Sequence, residues 1–185
     1  MIKKVLSNFH RYLLWLLICV MVWAWIFTMM TDTSRAKKVT VLISSPAVSE
    51  YALSEKLEET KPEGIKLIKA RPMSYEAIRT GSSSEADIFI VPESELIEHI
   101  EELSEITCFD GFDSFVSDGK IYGVLAFDPE TGIGAASGFI TYAVPGAEAE
   151  RYYICFNKDS MHIGDLNDSK DDAAIKVALD ILALR

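Results

Sequence analysis

The hydrophobic pattern opens with an unbroken block. From Tyr12 to Met30 the chain reads YLLWLLICVMVWAWIFTMM, nineteen residues without a charge. At about 1.5 Å of rise per helical residue, this matches the roughly 30 Å hydrocarbon core of a bilayer. The block predicts a transmembrane helix. Beyond it the apolar runs become short. Val39–Ser44 (VTVLIS) and Ala86–Val91 (ADIFIV) are continuous, ending in Ser45-Pro46 and Pro92, as strands buried on both faces would be. Ile65–Ala70 alternates apolar and basic residues, the mark of a strand near a sheet edge. Ser49–Lys61 is a charged helical stretch stopped by Pro62 and Gly64. Tyr75–Arg79 reads as a short helix, and Gly81 to Ser84 as a flexible turn. Another helix begins near Ser94, with Leu96, Ile100 and Leu103 on one face.

The second half is richer in strands. Lys120–Phe127, Gly138–Val144 and Arg151–Phe156 are aromatic and β-branched, with turn residues between them. The chain closes on an amphipathic helix. Ser169 and Asp172 resemble a capping box, and Ala174, Val177, Ala178, Ile181 and Leu182 form an apolar stripe for the sheet. Strand and helix alternate through the first half as they do in parallel sheets covered on both faces. The expected fold class is therefore α/β, a three-layer, mostly parallel sheet preceded by one transmembrane helix. Ligands in such sheets sit at the carboxyl ends of the strands, which brings Ser44, Ser45, Pro92 and Glu93 near any cleft. The alternative is that these are ordinary loop and cap residues.

Charge sharpens the division of the chain. Of its 18 basic and 28 acidic residues, six bases and one acid precede Val39, so the 147 residues from Val39 onward carry a net −15. The expected organisation is a cytoplasmic N-terminus over 1–11, an anchor over 12–30, a basic linker over 31–38 and one extracytoplasmic domain over 39–185. Positive charge flanks the anchor on both sides, and the acidic domain favours the orientation with the N-terminus inside. An uncleaved anchor is expected, because the apolar block is long for a signal peptide. Cleavage at Ser34-Arg35-Ala36 is the alternative. Leu17-Ile18 precedes Cys19, which excludes a lipoprotein signal. Nucleic acid is excluded as a partner of so acidic a domain.

Chemical motifs are few. Cys19, Cys108 and Cys155 form no CxxC, and His10, His99 and His162 share no ligand spacing, so no metal or cofactor is expected. An extracytoplasmic location permits a Cys108–Cys155 disulfide, whereas Cys155 within a buried strand acts as a small hydrophobe. GxSxG, Walker and HExxH motifs are absent, and Gly132-Ile133-Gly134 lacks the third glycine of a dinucleotide fingerprint. Asp165, Asn167 and Ser169 have calcium-loop spacing, but Lys170 and Lys176 occupy the glycine and glutamate places. The expectation is a protein that is not an enzyme.

The order of four segments, VTVLISS, EADIFIV, DGKIYGV and YYICFNKDS, resembles the extracellular solute-binding proteins of ABC importers over about Val39 to Asp165. That family closes two lobes on a ligand, and 147 residues accommodate little more than one. The resemblance thus implies a reduced, single-lobe relative that binds a small polar solute or assists a transporter permease. Ser44, Ser45, Glu93 and Tyr122 are then the candidate ligand-binding residues. The alternative function is a structural or interaction protein contacting a membrane partner through the lobe.

Overall fold

The computed structural model describes residues 9–31, 33–73, 86–106, 109, 111–143, 146, 149–163 and 172–184. The expected helix over Tyr75–Arg79, the turn at Gly81–Ser84, the calcium-like spacing, Ser169 of the capping box and Cys108 lie outside them. The chain divides into two units, one ending at Ser34 and the other running Arg35–Arg185.

In the first unit, helix α1 spans Phe9–Thr31. Its apolar side chains at Phe9 and from Tyr12 to Phe27 are exposed, and the window Arg11–Thr28 is long and apolar enough to cross a membrane, a test that a signal sequence also passes. Thr28, polar within this run, donates its hydroxyl to the Ala24 carbonyl at 2.8 Å, so its polarity is satisfied inside the helix.

The second unit is built on a seven-stranded mixed sheet. After a single 3-10 turn at Arg35–Lys37 come β1 (Lys38–Ile43), the short β2 (Ala47–Val48), helix α2 (Glu50–Glu58) and β3 (Leu67–Pro72). Then follow β4 (Ile88–Pro92), helix α3 (Glu93–Glu98), β5 (Ser114–Ser117), β6 (Lys120–Asp128), β7 (Ile133–Gly134), β8 (Ile140–Thr141), β9 (Tyr152–Phe156) and helix α4 (Ala173–Ala183). The sheet order is β3-β1-β4-β9-β6-β5, with β7 also on β6, while β2 and β8 make a separate ribbon. β1 runs parallel to β3 and to β4, with Val41 across from Ile88. The remaining pairs are antiparallel. The sheet expected to be mostly parallel is thus mixed, parallel from β3 through β1 to β4 and antiparallel from β4 onward.

Local chemistry explains the antiparallel pairing of β5 with β6. β5 and β6 are joined by Asp118-Gly119, whose φ angles of 51° and 76° are both left-handed. Two left-handed residues give the hairpin turn that matches strand twist, and a two-residue connection forces antiparallel pairing. The strand expected over Gly138–Val144 shrinks to Ile140–Thr141.

Both faces of the sheet are apolar, which accounts for the continuous hydrophobic runs. Val41, Ile43, Ile90, Ile154 and Phe156 meet Leu53 and Leu57 of α2 and the full predicted stripe of α4 on one face. Leu42, Phe89, Val91, Tyr153 and Cys155 meet Leu96 of α3 and Leu103 on the other. Gly123 on β6 lets α3 lie close. A Cβ there would stand 2.9 Å from Cys155 Sγ and 3.2 Å from Leu96 Cδ1. Cys155 is a free, fully buried thiol, and burial pushes its ionisation well above the ordinary range.

At the edge, β3 is protected against further pairing. Pro72 has no N–H, and the Ala70 N–H is taken by Ser54 Oγ at 2.9 Å.

Candidate functional site

From β1 the chain crosses through α2 to β3 on one side, then returns to β4 on the other side of β1. Crossovers that leave neighbouring strands in opposite directions open a crevice at the strands' carboxyl ends. Ser44 follows β1 there, and its N–H donates to the Ile90 carbonyl at 2.8 Å. Glu93 and Glu95 open α3 directly after β4. The Ser44 hydroxyl donates to Glu95 Oε1 at 2.8 Å and so links the loop after β1 to α3.

Three of the four predicted residues meet in this region. Ser45 lies 2.6 Å from the Thr141 carbonyl and 3.1 Å from that of Ala47 through its hydroxyl, so it ties the loop to the β2–β8 ribbon. Glu93 is half-buried, and its N–H donates to the Arg151 carbonyl. Tyr122 is elsewhere. The register Gly123–Cys155–Phe89 puts it three strands from β1 and toward the amino end of β4, packed with the second apolar cluster.

Other residues at this end were not anticipated. Tyr152 begins β9 beside the crevice, and its phenol is raised by burial and then by the charges of Glu150 and Glu95. Glu150 Oε2 accepts the Ser94 N–H at 3.4 Å. Arg151 reaches Asp128 at 3.7 Å and Glu130 at 3.6 Å. The antiparallel insertion of β9 beside β4 brings these residues in. No local pattern announces a pairing across sixty residues.

Cavity sizes limit what this end can hold. The hollow beneath α3, lined by Met73, Val91, Glu95 and His99 among others, has a volume of about 30 Å³. That is room for about one water, against the several hundred Å³ of an ordinary ligand pocket. A notch of about 230 Å³ lies where β5 leaves β6 and β7 begins, lined by Asp113, Asp128, Thr131 and Ile133. Among the described residues, no group of three or more His, Cys, Asp or Glu side chains is placed to hold a metal ion.

Residues of the EADIFIV and YYICFNKDS segments form a network at the opposite end of the sheet. Asp87 Oδ2 accepts the Thr40 N–H at 2.8 Å and Oδ1 accepts the Ser160 hydroxyl at 2.6 Å. Asn157 donates from Nδ2 to the Ala86 carbonyl at 2.8 Å and accepts the Asp159 N–H at 3.0 Å. Ser160 Oγ in turn accepts the N–H of His162, a side chain only 1% exposed. Here the ADIFIV and FNKDS segments are joined as structure. No family model, curated protein or solved structure matches the chain.

Proposed function

We propose that this protein is a membrane-tethered, non-enzymatic binding domain. Helix α1 crosses the membrane once, and the acidic domain lies outside the cytoplasm, with its helices as the outer layers of a three-layer fold. Its ligand is a small polar solute taken at the carboxyl ends of β1 and β4, in the manner of one solute-binding lobe beside a transporter permease.

The observation that carries this reading is the meeting of Ser44 and Glu95 across the crevice, a hydroxyl and a carboxylate at the place where α/β sheets take ligands. A single lobe offers half a cleft, and a ligand there keeps one face in water. Its affinity is then weak, on the order of hundreds of micromolar, because few contacts offset the cost of immobilisation. Calorimetry of the full chain in nanodiscs against amino acids, sugars and small amines tests this. Weak binding abolished by Ser44→Ala and Glu95→Gln supports it, and nanomolar binding to the monomer refutes the half-cleft.

The volume of about 30 Å³ favours a second reading, an interaction protein whose lobe contacts a membrane partner directly. Failure of every solute to bind, with a crosslinked membrane protein recovered through this end of the sheet, would replace the first reading by the second.

A further inference from the structure

The two edges of the sheet differ. β3 closes its own edge with Pro72 and with the Ala70 N–H held on Ser54 Oγ. β5 ends the other side of the sheet and pairs with β6 alone. The Leu125 N–H donates to the Asp113 carbonyl at 2.8 Å, and Ser117 and Lys120 flank the two-residue turn. Bonded positions alternate along an antiparallel ladder, so the backbone N–H and C=O groups of Ser114 and Val116 point away from β6. The bulge in this hairpin does not blunt the edge. Phe115 stands across from Gly123 and Val116 from Ile121, so the extra residue, Tyr122, belongs to β6. Among the described residues, nothing bonds to the outward groups of β5. Val116 also leaves an apolar side chain 57% exposed on this edge. Half-buried Phe115, Tyr122 and Leu125 lie on one face beside it, a neighbourhood for apolar side chains.

Charge selects what pairs there. Asp113 and Asp118 bracket β5, both are exposed, and neither has an ion pair among the described residues. The neighbouring cations are engaged, Lys120 with Glu105 at 2.9 Å, and Arg151 with Asp128 at 3.7 Å and Glu130 at 3.6 Å. At the amino end of β5 lies the notch of about 230 Å³, lined by Asp113 and Asp128. A second copy of this chain fits poorly. Two-fold antiparallel pairing of β5 with itself along its whole length sets Asp113 against Asp118 at both ends. We propose that β5 takes an extended segment of another polypeptide as an added antiparallel strand, apolar at alternate positions and with lysine or arginine at its carboxyl end. Main-chain bonds to Ser114 and Val116 give the affinity, and side chains give the choice of partner. Antiparallel pairing brings the basic end of that segment to Asp113 and the notch. β4, β9 and β6 separate β5 from β1, so this edge is distinct from the crevice and independent of any solute there.

The test is amide hydrogen exchange of the full chain in detergent micelles, read by nuclear magnetic resonance. The probe is an acetylated peptide of alternating valine and threonine ending in a pair of lysines, and the same peptide ending in glutamates is its control. The lysine peptide slows exchange at Ser114 and Val116 several-fold, and the glutamate peptide leaves both unchanged. Val116→Pro removes an outward N–H that β6 does not use, so the melting temperature stays and the protection of Ser114 is lost. Asp113→Lys, a change at an exposed side chain, weakens the lysine peptide several-fold and serves as the test should the proline variant melt early. Equal protection by both peptides overturns the basic partner. No protection by either, or protection elsewhere with Ser114 unchanged, overturns the edge as the site. Protection of Ser114 and Val116 that rises with protein concentration alone makes a second copy the occupant, and overturns the proposal as well.

Discussion

Asp87→Ala removes the centre of the buried network at the amino end of β4. The carboxylate is 6% exposed and accepts two hydrogen bonds, from the Thr40 N–H at 2.8 Å and the Ser160 hydroxyl at 2.6 Å. A hydrogen bond to a charged group contributes about 1.5–3 kcal/mol, and an orphaned buried N–H costs about 1–3 kcal/mol. The alanine variant avoids the cost of burying a charge, which offsets part of the loss. Ser160 can rotate its hydroxyl, but the Thr40 N–H is fixed in β1 and has no such freedom. The net destabilisation is about 3 kcal/mol, a fall in Tm of roughly 6–12 °C for a domain of this size. Thermal unfolding of the detergent-solubilised chain, followed by near-UV circular dichroism, measures it. Asp87→Asn keeps an acceptor for the Thr40 N–H and loses about half as much. Asp159→Ala, at an exposed neighbour, stays within about 0.5 kcal/mol of the parent. The Asp87→Ala/Ser160→Ala pair is less destabilised than the two single changes predict, since they share one bond. A fall of less than about 2 °C for Asp87→Ala would refute the structural role given to this network.

Ile181→Asp puts a charge on the sheet-facing stripe of α4, where Ile181 is fully buried, and should cost about 3–5 kcal/mol in urea denaturation. Gly123→Ala forces a Cβ to within 2.9 Å of Cys155 Sγ and 3.1 Å of Tyr153 Cβ, and should lower stability by about 1–3 kcal/mol. Cys155, in a variant where it is the one cysteine, should resist maleimide in the folded state and react on unfolding. Because burial raises its ionisation, the folded thiol keeps its proton as pH climbs past the ordinary thiol range, and the stability it lends is lost through that rise. Rapid labelling of the native variant would show that β9 opens readily.

The elements with strong local signatures were legible in the sequence. An uncharged block of nineteen residues has no soluble strand or turn to fit, so α1 follows from length and composition alone. The runs in β1 and β4 are apolar at successive positions because both faces of those strands are covered, and the helix between β1 and β3 fits the parallel pairing of those two strands. The stripe of α4 repeats at helical spacing, and all five of its residues are buried. Asp118-Gly119 was quoted only within the DGKIYGV segment, and its role as a two-residue hairpin turn emerged from the structure.

Long-range pairing was not legible. β9 inserts between β4 and β6, and nothing in Tyr152–Phe156 distinguishes a central antiparallel strand from a parallel one. That insertion removes Tyr122 from the crevice and delivers Glu150, Arg151 and Tyr152 to it. It also joins Asp87 to Ser160 across 73 residues. Local sequence determines which segments are helix or strand, because propensity and burial period act over a few residues. Which strands become neighbours depends on loop closure and on apolar fit across the sheet, and those terms exist only once the chain has folded. The composition of the crevice was therefore decided by the tertiary structure.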